Sequence, residues 1–532
     1  LGALRARDER RSFAPPGLWT APAEHRSAGF AFDFAGRDGA GSDGACSPLR
    51  AAVAVAARID EAAFADAKNK KPAAAASRGS DSRDSNDSPI DALASVLLDC
   101  PHALPFEYRV AVFRELVRHD RQSAGFRPQA GGADAGREED LGQRVRPVAE
   151  ITVRREMLLE DTLAQLLPLG DRLRGRVLVR YVNAAGEAEA GIDAGGLFKE
   201  LMSDVVDLGL NPERGIFDST AEDALVFPRA AAGDTHEGRL VLELVGAVVG
   251  KAMYEGVLLE SARLAPFFAK TLLGLPCTMD DLPSLDAGLH RSLAHVTRYE
   301  GDVENDLCLD WCVREEAFGA VRAIELRPDG ANLTVADHDR LGYAHAVADF
   351  WLRRRRVHAD GAFARGLRHT IHPMWLKMFG VDELSRLMSG AGGGDGDGDT
   401  CGGVDVEDLR RHARYSGGYG AESRTVRMFW DVFESLPGAE RRRLLKFVTS
   451  SSRPPVQGFR HLHPPFTIHK VRCEAPMGGT LAAVFGFAPD VDRLPSASTC
   501  FNTLKLPNYR RRATMREKVR YAIASGAGFE LS

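Results

Sequence analysis

The chain has 532 residues and carries 69 Lys and Arg against 74 Asp and Glu, a net charge of −5. That balance argues against a dedicated nucleic-acid or membrane-surface binder, which carries a clear basic excess. Eight Cys with no CxxC pair argue against a disulfide-dense secreted scaffold and against structural zinc.

The first residues, Leu1-Gly-Ala-Leu-Arg-Ala-Arg-Asp8, lack an apolar stretch behind the basic ones, so no signal peptide is expected. No run of ~20 apolar residues occurs. The best candidate, Leu240 to Met253, carries Glu243 and Lys251. The expectation is a soluble intracellular chain. Because it begins with Leu1 rather than Met, it is expected to be the C-terminal part of something longer.

In chain order, residues 1–92 are expected to be disordered. An Ala run from Ala73 to Ala76 leads into a Ser/Asp/Arg/Asn mixture that cannot bury enough apolar surface to offset chain entropy. Ala51 to Ala67 is the exception, an Ala-rich candidate helix. Val110, Phe113, Leu116 and Val117 recur at helical spacing. A polar insert follows at 125–146. Val177 to Val182 is rich in β-branched and aromatic residues and meets Asn183-Ala-Ala-Gly186, a strand followed by a turn. Leu240 to Leu259 reads as a buried helix. Residues 390–403 hold eight glycines and three aspartates, the composition of a flexible linker. Asp395, Asp397 and Asp399 do not make a calcium loop, because Thr400 and Val406 stand where that loop needs Gly and Glu.

Beyond the linker, Val426, Phe429, Trp430 and Phe433 form one apolar helical face. Thr467 to Val471 and Leu481 to Phe487 read as strands. Thr514-Met-Arg-Glu517 reads as a capping box opening a final helix that turns Met515, Val519, Ala522 and Ile523 inward. Arg353 to Arg356 and Arg441 to Arg443 read as solvated faces. His369 with His372, and Cys308 with Cys312, lack a second ligand pair, so no metal site is expected.

The most informative segment is Leu494-Pro-Ser-Ala-Ser-Thr-Cys-Phe-Asn-Thr-Leu-Lys-Leu-Pro-Asn-Tyr509. Cys500 has Ser498 and Thr499 before it and Asn502 after it, small hydrogen-bonding groups able to stabilise a thiolate or an oxyanion. Spacing alone favours a buried structural Cys.

The order Leu494-Pro-x-x-x-Thr-Cys-Phe-Asn502, then Leu506-Pro-x-Tyr509, resembles the catalytic loop of HECT-type ubiquitin ligases. Other segments agree in sequence order. They are Ala190-Gly-Ile-Asp-Ala-Gly-Gly-Leu-Phe-Lys-Glu200, Gly250-Lys-Ala-Met-Tyr-Glu-Gly256, Leu282-Pro-Ser-Leu-Asp286, Arg298-Tyr-Glu-Gly301 and Phe447-Val-Thr-Ser-Ser-Ser-Arg-Pro-Pro455. The ending Gly528-Phe-Glu-Leu-Ser532 is closest to one family branch, whose members often carry an N-terminal IQ motif. No IQ motif is visible here.

The resemblance implies a bilobal α+β fold. A larger, mostly helical N-lobe would span 93–389, a hinge 390–403, and a smaller α/β C-lobe 404–532. It implies a ubiquitin ligase that accepts ubiquitin from a conjugating enzyme as a thioester on Cys500 and passes it to a substrate lysine, without cofactor or metal. The competing reading is a catalytically silent scaffold that binds ubiquitin or a conjugating enzyme.

Thr499, Cys500, Asn502 and Phe529 are the implied catalytic residues, with Phe529 an aromatic anchor on a Gly-containing tail. Candidates to orient or deprotonate the lysine are Glu189, Asp193, Glu200 and Glu530. Ser498 stands where many members have His, so activation would rest on hydrogen bonding and local potential, with Arg493 a contributor. The conjugating enzyme would dock on Leu289, Ser292, Leu293, Leu307, Tyr343 and Val347, a pattern that ordinary core packing of two helices would also produce. The implied partners are ubiquitin, a conjugating enzyme and protein substrates, with no nucleic acid and no membrane. The implied location is cytoplasmic, with a nuclear one left open.

Overall fold

Apolar residues at helical spacing form the helix Phe106–Ser123, which buries Val110, Phe113, Leu116 and Val117 as their periodicity predicts. The computed structural model describes residues 52–53, 55–56, 96–124, 149–183, 186–187, 196–220, 224–317, 320–390, 403–471 and 491–525. Helices and small sheets are mixed, in agreement with the expected α+β class. Of Ala51 to Ala67 only 52–53 and 55–56 are described, and these are helical. The expected hinge, apart from its two end residues, and the strand expected at Leu481 to Phe487 lie outside the described residues. Among the described residues no helix is long and apolar enough to cross a membrane, and no group of three or more His, Cys, Asp or Glu is placed to hold a metal.

The chain folds into two compact units, each discontinuous in sequence. The first combines residues up to His119 with Gly209–Ala247 and Arg263–Ser385. Its interior is aromatic. Phe113 meets Trp375 and Phe379 edge-on at 6.3 and 5.8 Å, and Phe363 meets Phe217 and Phe268 at 6.2 and 5.2 Å. Arg109, 3% exposed, donates to the Leu104 carbonyl at 3.0 Å and as a fork to both Glu383 carboxylate oxygens at 2.6 and 2.5 Å. A buried guanidinium is tolerated because its donors and charge are met in this way.

The helices His236–Glu255 and Val357–Arg368 approach through glycine. A Cβ on Gly366 would sit 1.9 Å from the Glu243 carbonyl oxygen, and one on Gly246 would sit 2.1 Å from that of Phe363. The first of these helices starts four residues before Leu240 and stops at Glu255, where Gly256 takes φ +76°.

One expectation for this unit is overturned. Arg356 is not on a solvated face: it is 3% exposed, bonds Asp360 at 3.0 Å and lies over the rings of Phe227 and Phe267 at 4.9 and 5.0 Å. Arg355 joins it in pairing, with Glu315 at 2.6 Å and Asp234 at 3.0 Å. Only Arg353 and Arg354 keep the exposure that a basic run suggests.

The second unit combines Asp120–Leu208, Val248–Ala262 and Arg386–Ser532. Strand Val177–Val182, as the β-branched run predicts, pairs in parallel with Ala149–Arg154. It ends in the expected turn, with the Gly186 N–H donating to the Asn183 carbonyl at 2.9 Å. Lys251 is buried here, its ammonium donating to the Gly175 carbonyl at 2.8 Å and to the Glu255 carboxylate.

A four-stranded sheet follows in the order Arg414–Ser416, Thr467–Val471, Thr503–Pro507, Ser496–Ser498. The first three strands are parallel to one another and the last is antiparallel to its neighbour. Helices Arg424–Glu434, Gly438–Thr449 and Arg512–Ser525 share one core with it, built on Phe429, Trp430, Phe433, Leu444, Ile468, Leu504 and Met515. The final helix begins at Arg512, two residues before Thr514, so the expected capping box does not form its start. The inward face is as expected, with Met515, Val519 and Ala522 buried and Ile523 packed at the edge of the core.

Candidate functional site

The hairpin formed by Ser496–Ser498 and Thr503–Pro507 closes over four residues, Thr499 to Asn502, and Cys500 sits in that connection. The pairing places Ser498 opposite Thr503 and Ala497 opposite Leu504. With alternation along both strands, Ala497, Leu504 and Leu506 turn into the core. Thr499–Phe501 is one 3₁₀ turn, and Asn502 reverses the chain in the left-handed region at φ 47°, ψ 42°. Asn tolerates that conformation better than other non-glycine residues.

Asn502 is fully buried and ties the turn down three times. Its N–H donates to the Thr499 carbonyl at 3.3 Å, its carbonyl accepts the Thr467 N–H at 2.9 Å, and its side-chain NH₂ donates to the Pro464 carbonyl at 2.6 Å. The Thr503 hydroxyl adds a bond to the Phe501 carbonyl at 3.0 Å. The amide nitrogen of Asn502 is therefore engaged in holding the turn, which makes this a positioning residue for the cysteine. Its Oδ1 is buried without a hydrogen-bond partner.

The flanks are fixed as well. The Tyr509 hydroxyl, 1% exposed, donates to the Arg493 carbonyl at 2.5 Å, and the Tyr419 hydroxyl donates to the Leu506 carbonyl at 3.2 Å. Arg493 itself is exposed, whereas Ser498 and Thr499 are half-buried. Next to Cys500, Phe501 leaves 53% of its surface in solvent, a large apolar ring at the tip of the hairpin. The Pro464 contact was not legible in sequence: it lies 38 residues from Asn502.

Among the candidate acids, Glu200 pairs with Arg155 at 2.9 Å on helix Gly196–Gly209. The sequence reading passed over Asp204, one turn further on. Burial, with Glu200 and Asp207 adding repulsion, pushes its carboxyl up to about 6, against the pull of Arg155. The spacing of Glu200, Asp204 and Asp207, which puts three acids on one helical face, is the signal that would have found it. Glu189, Asp193, Glu530 and Phe529 lie outside the described residues.

The six residues expected to dock a conjugating enzyme fall in the first unit. Asp286 caps helix Ala287–Arg298 through the Leu289 N–H at 2.9 Å. On that helix Leu289 is half-buried, Ser292 exposed and Leu293 buried. On helix Arg340–Leu352, Tyr343 and Val347 are both buried, Tyr343 edge-on to Trp311 at 5.7 Å. Leu307 is half-buried. Of the six, Leu289, Ser292 and Leu307 keep solvent-accessible surface, whereas Leu293, Tyr343 and Val347 are buried. Tyr299, of the Arg298-Tyr-Glu-Gly301 segment, bonds Asp306 at 3.1 Å, and Arg340 donates to the Tyr299 carbonyl.

Comparison with known proteins matches residues 203–532 to the family described as HECT-domain (ubiquitin-transferase). The chain is 36% identical to mouse ubiquitin-protein ligase E3B over 453 residues, which cover 82% of this chain and 40% of that protein. It is 32% identical to the E3 ubiquitin-protein ligase HUL5 of Saccharomyces cerevisiae over 449 residues, 82% of this chain and 45% of that one. It is 30% identical to human E3 ubiquitin-protein ligase NEDD4 over 388 residues, 72% of this chain and 27% of that one. The chain thus spans about two-fifths of the length of the first curated relatives it matches. With a family match that runs through the cysteine hairpin and covers more than half of its residues, the chain belongs to the HECT family.

Proposed function

We propose that this chain is the catalytic part of a ubiquitin ligase that works through a thioester on Cys500. The observation that carries the reading is the hairpin tip: a cysteine on a turn pinned by Asn502, inside the stretch that matches the family. In the first step the Cys500 thiolate attacks the carbonyl carbon of the ubiquitin thioester on a conjugating enzyme. A new C–S bond forms as the old one breaks, and the enzyme's cysteine leaves as thiolate. One thioester replaces another, so the protein supplies positioning more than driving force.

In the second step a neutral lysine amine attacks the Cys500 thioester. A C–N bond forms, Cys500 leaves as thiolate, and the surplus amine proton passes to a base. On this reading Thr499 and Asn502 hold the turn, while Phe529 is the anchor of the tail in the lysine transfer. Leu289, Ser292, Leu293, Leu307, Tyr343 and Val347 receive the conjugating enzyme. An N-lobe over 93–389 and a C-lobe over 404–532 move about the 390–403 hinge, so that Cys500 faces donor and acceptor in turn. A reactive free thiol fits a reducing compartment such as the cytoplasm.

The test is incubation with activating enzyme, conjugating enzyme and ubiquitin. It should give a reductant-sensitive adduct on Cys500, a reductant-resistant oxyester with Cys500→Ser, and no adduct with Cys500→Ala. Absence of the adduct with several conjugating enzymes, while the fold is intact, would overturn the proposal.

A further inference from the structure

The near-neutral charge of the whole chain conceals a local excess. Residues 491–525 carry eight Lys and Arg against two acids. On the final helix this excess is organised. Arg512, Arg516 and Arg520 follow one another at four-residue spacing, and Ala513, Glu517 and Tyr521 form the adjacent row. The six line an open depression of about 720 Å³.

The guanidinium groups are held but incompletely neutralised. Arg512 and Arg516 donate to the main-chain carbonyls of Asp431 and Ser435, at 3.0 and 3.4 Å, at the end of helix Arg424–Glu434. Arg441 joins them there on the Leu436 and Glu434 carbonyls. A carbonyl fixes a guanidinium without cancelling its charge. Of the three arginines in the row, Arg520 is the one paired with a carboxylate, that of Glu440 at 2.8 Å. Arg516 is half-buried and Arg512 and Arg520 are exposed, so the row faces solvent along its length. Tyr521, 59% exposed, provides an aromatic face at the end of that row.

From this we infer that the Arg512–Arg516–Arg520 row is a docking surface for an acidic segment of a protein substrate. Successive arginines stand ~6 Å apart along the helix. Alternate side chains of an extended peptide stand ~6.6 Å apart, so acids at every second position meet the three guanidiniums in register. Arginine forks suit carboxylates, and the arginines lie pre-organised on a packed helix. Helix Gly438–Thr449 packs against both the final helix and the Thr499–Phe501 turn, so the row and the cysteine turn share that one helix as a neighbour. The role as a substrate dock rests on the transferase reading; the binding itself does not.

The test is fluorescence anisotropy on the full chain. The probe is a labelled ten-residue peptide of alternating Glu and Ser, with alternating Gln and Ser as the control. Binding of the Glu peptide, lost at high salt and at least tenfold weaker with the control, is expected. Ala513→Glu puts an acid in the adjacent row without disturbing the carbonyl-bound arginines and should weaken binding about tenfold. Equal binding of the control peptide, or no effect of Ala513→Glu, overturns the inference. Tighter binding of a ten-nucleotide single-stranded RNA than of the Glu peptide also overturns it, in favour of a nucleic-acid surface. Cys500 loading, measured separately, should be unchanged in Ala513→Glu, so loss of ligase activity and loss of docking are read independently.

Discussion

The side-chain amide of Asn502 donates to the carbonyl of Pro464 at 2.6 Å, joining the cysteine turn to a segment 38 residues earlier in the chain. Two properties of Asn meet there: a left-handed backbone and a side-chain donor. Replacement by Gly keeps the first and removes the second; replacement by Ala removes both. Loss of a buried hydrogen bond costs about 1–2 kcal/mol, and a left-handed Ala adds about 1 kcal/mol. Chemical denaturation should therefore rank wild type above Asn502→Gly above Asn502→Ala, with Cys500 loading slowed in the same order. Equal stability of the Gly and Ala variants would show that the backbone conformation does not matter here.

The glycine crossing in the first unit makes a sharper steric prediction. At Gly366 an added methyl meets the Glu243 carbonyl oxygen at 1.9 Å and the Ala247 nitrogen at 2.6 Å. Neither is the flexible end of a side chain, so the helices must separate. Ala favours helix over Gly by about 1 kcal/mol, yet overpacking here should outweigh that gain and cost about 1–3 kcal/mol net. Gly361, on the same helix, has open space around its Cβ position. Gly361→Ala should therefore stabilise, and the opposite signs of the two Tm shifts are the measurement.

These two glycines show what the sequence could and could not reveal. Local periodicity located Phe106–Ser123, Val177–Val182 and Arg424–Glu434, because one apolar face against one core suffices to define such elements. The Thr499–Asn502 connection was legible as a segment through its resemblance to a family. Its support was not: Pro464 reaches it from a distant segment, and nothing in a local window records that contact. Arg356 misled for the same reason. A run of four arginines looks solvated until Phe227, Phe267 and Asp360 are brought around it by the fold. Asp204 was passed over although its helical spacing from Glu200 and Asp207 was visible, since its half-burial was not.

Asp204 gives the pH dependence a sign. Its carboxyl, ordinarily near 3.8, is pushed up to about 6 by burial and by the charges of Glu200 and Asp207. The folded state thus holds this proton more tightly than the unfolded chain. Its contribution to stability is fully present below about pH 3.8 and is lost as pH rises through about 6. Asp204→Asn carries no charge to desolvate, so it should raise the urea midpoint at pH 7.5 and leave it little changed at pH 4. A variant midpoint that tracks wild type at both pH values would assign the slope to other groups.

The buried pair of Arg356 and Asp360 leads to the last prediction. Both side chains are 4% exposed and lie 3.0 Å apart, with the guanidinium over the rings of Phe227 and Phe267. Burial pushes the Asp360 carboxyl up and the Arg356 guanidinium down, and each ion opposes the shift of the other. Removing one partner leaves a buried ion without compensation, so Arg356→Met should cost about 3–5 kcal/mol. Removing both leaves an apolar cluster, and the double variant Arg356→Met with Asp360→Leu should recover most of that loss. Equilibrium unfolding of the two singles and the double closes the cycle. Costs that simply add would mean that the two ions act independently, whereas recovery in the double would identify the pair as a mutual neutralisation rather than a source of stability.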